Sequence, residues 1–304
     1  MCTTSHPILL AALDLDGTLL NSNGEVSPCT QKVLSEASDR GVVVIPATGR
    51  PLASLPPVVA KQPGCIMPSP PTARRSGISA AIRWAVSTAG MPTPQSMRRA
   101  AECIVRRCFP VEKAREVYET FQGLPGGLNI FSDGRALRDM AQQRFFRRAV
   151  RPSGGGEGDR GHPAQRWPLH HPAGPERVDE PPRPRGGEVL HVLPLGERGA
   201  AVSAPLYGHR GVEVVQGAPD NIEVTAAGVN KGESLLALAD HLGIPREATL
   251  AVGDSENDRA MLEKAGVAAV MANGMEHIRK LADIVSENDN DHDGVAEIFA
   301  RLGL

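Results

Sequence analysis

The chain has 304 residues, 41% of them hydrophobic, and a formal net charge of -2. That length supports a sizeable core, and the near-neutral charge gives no basic field to attract nucleic acid or an anionic membrane surface, so a small molecule is the expected partner. No apolar run reaches the roughly 18 residues of a membrane span, and the five cysteines lack CxxC spacing, which indicates neither a zinc site nor a disulfide framework; a cytoplasmic protein is expected.

From Ile8 to Leu15 the sequence reads as one apolar strand, followed by the turn residues of "DGTLLNSNGEVS". The stretch "SPCTQKVLSEASDRG" then predicts an amphipathic helix, with Ser27 as cap, Pro28 in the first turn and Gly41 at the end. A second buried strand, "VVVIPATGR", runs into a turn. Strand, helix and strand in fifty residues open a doubly wound parallel sheet.

The middle of the chain is uneven. Residues 147–187 hold 8 Arg, 8 Pro and 8 Gly with no Lys, a composition that cannot bury a core. Residues 66–108 are a milder case, rich in Arg pairs, Ser and Pro. One explanation is a disordered, Pro-rich insertion. The favoured one is a reading frame that slips near residues 63–66, recovers near 108, slips again near 143–148 and recovers before Gly211. Arg, Pro, Gly and Ala have GC-rich codons, and resequenced DNA free of compensating indels at those points would remove this hypothesis. Between the two stretches, "FPVEKAREVYETFQGLPGGLNIFSDGRAL" predicts a helix, a strand and a turn, and "GVEVVQGAPDNIEVTAAG" beyond them predicts two strands.

The end of the chain returns to the opening pattern. "NKGESLLALADHLGI" predicts a helix ending near Gly243, "ATLAVGD" a strand, "SENDRAMLEKAG" a helix, "VAAVMA" a strand and "GMEHIRKLAD" a helix before "IVS". Both ends therefore belong to one Rossmann-like α/β core. The expected division is a core of residues 1–78 and 226–304 and an inserted α+β cap of 79–225, with 147–187 disordered.

Side chains two apart on a strand point the same way. Asp14 and Asp16, at the C-terminal end of the first strand, would face the crevice where such folds bind ligands. Two carboxylates so close repel, which a dication or a shared proton relieves. Asp254 ends another apolar strand and can join them around a hard cation such as Mg2+, with Asn257 and Asp258 in the turn beyond. Thr48 and the backbone N–H groups of "ATGR" offer an anion cradle, and Lys231 adds a positive charge. Carboxylates, a metal, an anion cradle and a lysine together describe phosphoryl transfer. The acidic run "DNDHDG", 289–294, is no calcium loop, because position twelve is Ala300 where a bidentate Glu is needed. The pair His170 and His171 is assigned no metal.

In this order, "LDLDGTLL", "VVVIPATGR", Lys231 and "GDSENDRAML" resemble the four motifs of the haloacid-dehalogenase-like hydrolase superfamily, over residues 8–62 and 211–304. "ATGR", "NKGESL" and "NDHDGVAEIF" further resemble its Cof-type phosphatase branch. The resemblance implies Mg2+-dependent hydrolysis of a small phosphomonoester, a sugar phosphate or similar, through an aspartyl phosphate. It implies Asp14 as nucleophile and Asp16 as general acid and base, with Mg2+ held by Asp14, the Asp16 backbone carbonyl and Asp254. Thr48, Gly49, Lys231 and Asn257 would bind the phosphoryl group, Asp258 supporting Lys231 or a water. A silent protein with a damaged cap, or a phosphomutase, are the alternative expectations, and the oligomeric state is left open.

Overall fold

The computed structural model describes residues 6–50, 209–218 and 221–304, the strands at 127–132, 135–138 and 189–193, and isolated positions at 55, 56, 59, 113, 116, 117, 119, 120 and 206. The proposed disorder of 147–187 and most of the out-of-frame stretches lie outside these residues.

Chain order begins with β1 (Leu10–Leu13), α1 (Pro28–Asp39) and β2 (Val43–Pro46). Ser27 caps α1 as expected, its hydroxyl accepting the Thr30 N–H at 3.0 Å. Leu34 and Ala37 turn inward from α1. Next come β3 (Gly127–Ser132), β4 (Arg135–Arg138), β5 (Val189–Leu193), β6 (Val212–Ala218) and β7 (Asn221–Ala226). The described residues then give α2 (Lys231–Leu242), β8 (Thr249–Gly253), α3 (Arg259–Lys264), β9 (Val267–Val270), α4 (Glu276–Arg279), β10 (Ile284–Val285) and α5 (Gly294–Leu302).

Two sheets result. The first has the order β10-β9-β8-β1-β2 with every pair parallel, so the chain's last third supplies three strands beside β1. β1 is fully buried between β2 and β8, with Ala11 opposite Val44 on one side and Leu250 on the other. The near-continuous apolar reading of β1 and β8 follows, because helices cover both faces of a parallel sheet. Leu13, Leu250 and Phe299 lie in one core cluster, and Leu10, Leu238 and Met261 in the other.

The second sheet has the order β4-β3-β5-β7-β6 and is antiparallel throughout. β5 pairs with β3 on one side and β7 on the other, at the middle of this sheet. The helix expected over "GMEHIRKLAD" is one turn only, since the chain breaks away after Arg279 to bring Asp283 N–H to Ala268 O at 2.9 Å and start β10. Among the described residues no helix is long and apolar enough to cross a membrane.

Candidate active site

The site forms at the C-terminal ends of β1, β2 and β8. The backbone N–H of Asp14 donates to Val252 O at 2.9 Å, which seats its carboxylate at the sheet's edge, 5% exposed. Gly17 then takes φ +80, and a Cβ there would lie 2.7 Å from Asp254 Oδ2. Only glycine allows both the turn and the approach of that carboxylate. The Thr18 hydroxyl donates to Asp254 Oδ1 at 2.8 Å, tying the turn after β1 to the turn after β8.

Asp258 is wholly buried and accepts three hydrogen bonds. Its Oδ2 accepts the backbone N–H groups of Asp254 and Ser255 at 2.9 and 3.0 Å, while Oδ1 accepts from Lys231 Nζ at 2.7 Å. Lys231 opens α2, whose N-cap Asn230 accepts the Glu233 N–H at 2.9 Å. Gly232 lets α2 lie against α3, for a Cβ there would meet Ala260 O at 2.2 Å. That close packing carries the ammonium to Asp14 Oδ1, 2.5 Å away.

Burial and neighbouring charges together set the proton affinities. Burial, and then Asp258, push the Asp14 carboxyl well above its ordinary value, against the pull of Lys231. Asp254 is pushed up to about 7, first by burial and then by Asp258. Burial works against the Lys231 ammonium, but Asp14 and Asp258 outweigh it, so Lys231 stays charged.

The "ATGR" turn follows β2, anchored by Ala47 N–H to Leu13 O at 2.7 Å. The Thr48 hydroxyl accepts the Arg50 N–H at 3.1 Å, and Gly49 lies under Glu223 of β7, whose Oε2 would be 2.8 Å from a Cβ at Gly49. Asn257 accepts from the Ser255 hydroxyl at 2.8 Å. The structure thus joins Asp14, Lys231 and Asp258 directly and sets Asp254 beside them. Asp16 is outside that cluster and paired with Arg50: its Oδ2 accepts from Arg50 Nε at 2.7 Å, and its Oδ1 from a terminal nitrogen of the same guanidinium. Sequence reasoning quoted Arg50 without giving it a partner, and missed Thr18 and Glu223. The closing letter of "TGR", a fixed charge one turn from an anion cradle, was the available signal for Arg50.

The donor set suits a divalent cation. One carboxylate oxygen from each of Asp14, Asp254 and Asp258 falls within 4.8 Å of the others, all hard oxygen donors; this cluster holds the expected Asp14 and Asp254, and Asp258 in place of the Asp16 side chain. Among the described residues Lys231 pairs with Asp14 and Asp258 and Arg50 with Asp16, and a dication beside Asp14 and Asp254 would balance further negative charge.

A parallel sheet with acidic groups and the "ATGR" turn at its strand ends, and a buried lysine opening the helix beside them, is an arrangement suited to phosphoryl transfer. The chain belongs to the haloacid dehalogenase-like hydrolase family, whose model matches residues 11–66 and 204–299. Phosphatase YwpJ of Bacillus subtilis is 29% identical over 96% of this chain and 99% of its own. The B. subtilis 5-amino-6-(5-phospho-D-ribitylamino)uracil phosphatase YcsE is 27% identical over 98% of this chain and 96% of its own. The fold matches that of a haloacid dehalogenase-like hydrolase from B. subtilis with a TM-score of 0.70 at 24% identity, over 97% of this chain and 100% of that one. It also matches a subclass IIB sugar phosphatase with a TM-score of 0.69 at 19% identity, over 97% and 98%. The chain is a phosphatase of this Cof-type kind.

Proposed function

We propose that the protein is a Mg2+-dependent phosphatase that hydrolyses a small phosphomonoester through an aspartyl phosphate. The observation that carries this reading is Lys231 Nζ lying between Asp14 and Asp258 with the Asp254 carboxylate within reach. Lys231 occupies Asp14 Oδ1, so Oδ2 attacks phosphorus; that bond forms as the ester P–O bond breaks. Asp16 gives its proton to the departing alcohol oxygen, then takes one from the water that splits the acyl phosphate, restoring Asp14 and releasing phosphate. Thr48, Gly49, Asn257 and Lys231 bind the phosphoryl oxygens, and Asp258 holds the ammonium in place. Asp14, Asp254 and the Asp16 backbone carbonyl would hold Mg2+, which would supply the positive charge that lets a dianionic ester approach a carboxylate.

In this reading residues 79–225, which contribute strands of the second sheet, form the cap over a core of 1–78 and 226–304. The substrate is a phosphorylated sugar or similar metabolite, in keeping with a relative that acts on a phosphorylated ribitylaminouracil. The free thiol of Cys29, exposed at the surface, suits the reducing cytoplasm where such esters occur.

Asp14→Asn tests the mechanism. Turnover of an aryl phosphate in Mg2+ should fall by about a thousandfold or more, and acid-quenched protein should lose its labelled phosphoenzyme. Activity surviving in the variant would sink the covalent route.

A further inference from the structure

We propose that Arg50 is the positioning residue that orients Asp16 toward the leaving group, an inference that rests on the reading of Asp16 as the proton carrier. Asp16 lies two residues beyond Asp14 in the turn after β1, with its side chain 32% exposed. Its charge acts repulsively on both Asp14 and Asp254. A short carboxylate in that field turns outward to water unless something holds it.

Arg50 is built to hold it. Nε and a terminal nitrogen of one planar guanidinium address the two oxygens of Asp16, which fixes the plane of the carboxylate as well as its position. The Arg50 side chain is only 13% exposed, and its backbone N–H is tied to the Thr48 hydroxyl at 3.1 Å. Behind that turn, β2 is paired with β1 up to Leu13 opposite Pro46, so both ends of the ion pair grow from adjoining, bonded strands. Glu223 of β7 bears on Gly49, so the second sheet backs the same turn. The two cations divide the work. Lys231 serves Asp14 and Asp258, and Arg50 serves Asp16.

The consequence is selective. A nitrophenolate leaves without a proton, whereas a poorer leaving group needs one, so a misplaced Asp16 should lower kcat/KM, which reports the step that forms the acyl phosphate, only for the second; its hydrolysis, common to all esters, is read in kcat. The experiment compares p-nitrophenyl, phenyl and p-methoxyphenyl phosphate with the full-length protein, Arg50→Met, Arg50→Lys and Asp16→Asn. Inhibition by inorganic phosphate and the melting temperature are recorded alongside.

Arg50→Met should leave kcat/KM for the nitrophenyl ester within about threefold and lower that for the phenyl and methoxyphenyl esters by about tenfold or more. Inhibition by phosphate should stay within about twofold. Arg50→Lys keeps the charge without the fork and should show the same steepened dependence on the leaving group. Equal losses on all three esters with weakened phosphate inhibition would make Arg50 a phosphate ligand and overturn the inference. So would full recovery in Arg50→Lys, which also decides the matter if Arg50→Met fails to fold. Asp16→Asn separates the two layers. If it lowers kcat/KM for all esters alike, the reading of Asp16 as the acid falls and Arg50's role with it; if its effect on kcat/KM is selective and that of Arg50→Met is not, the Arg50 inference alone falls.

Discussion

Asp254 shows at the scale of one residue how the site trades stability for chemistry. Its carboxylate lies under Gly17 and accepts from Thr18, and burial and Asp258 push its pKa up to about 7. At pH 8 both the unfolded chain and the folded protein carry the charge, but only the folded protein bears the cost of burying it. An amide at this position can still accept from Thr18 and carries no charge. Asp254→Asn should therefore stabilise the metal-free protein at pH 8 by about 1–2 kcal/mol, seen as a higher melting temperature, while turnover falls by about a hundredfold or more. Added Mg2+ should raise the melting temperature of the parent protein and leave that of the variant unmoved. A variant that melts lower than the parent without metal would show that the carboxylate stabilises the fold.

Among elements, α5 has the least legible start. Its N-cap, Asp293, has φ 64, and its side chain is spent on the Ser27 and Thr30 hydroxyls of α1's first turn, 266 and 263 residues away. No local capping pattern was there to read, whereas Ser27 and Gly243, which bound α1 and α2 through neighbours in sequence, were plain. The α4 helix was overread for a related reason: periodicity favoured ten residues, and the demand of β10 for a partner stopped it after four. Within α5, Glu297 holds the chain leading into the helix, its carboxylate accepting the Glu287 N–H at 3.0 Å and the Asn288 N–H at 2.9 Å. Burial pushes this carboxyl upward, but those two N–H groups and Arg301 outweigh it and leave it below 4.5. A depressed carboxyl contributes stability above its unfolded pKa and loses it as pH falls through the folded one. Glu297→Gln should accordingly lower the melting temperature at pH 7, and the gap between variant and parent should close as pH drops below 4.5. A gap that persists unchanged at pH 3 would assign the loss to packing instead.

Over the whole molecule, the sheet order β10-β9-β8-β1-β2 sets the dependence of one end of the chain on the other. The four motifs were readable because each sits at a strand end or a helix start, where apolar runs break into charge. Their meeting was readable only through the pattern of the fold. The Arg50–Asp16 pairing spans 34 residues and the Thr18–Asp254 bond 236, and no spacing rule reports either. The same topology makes Leu250 a test of the architecture. It is fully buried in β8, opposite Ala11 of β1 and Val267 of β9. Leu250→Ala removes side-chain contacts at the middle of the sheet and leaves a cavity that close-packed neighbours cannot fill, at a cost of about 2–5 kcal/mol. If residues 10–13 and 249–253 form one cooperative unit, the amides of β1 should lose hydrogen-exchange protection by the same factor as those of β8. Full protection of β1 in a variant whose β8 exchanges freely would mean that the two ends fold independently. Asp14 and Asp254 would then be brought together after folding rather than by it.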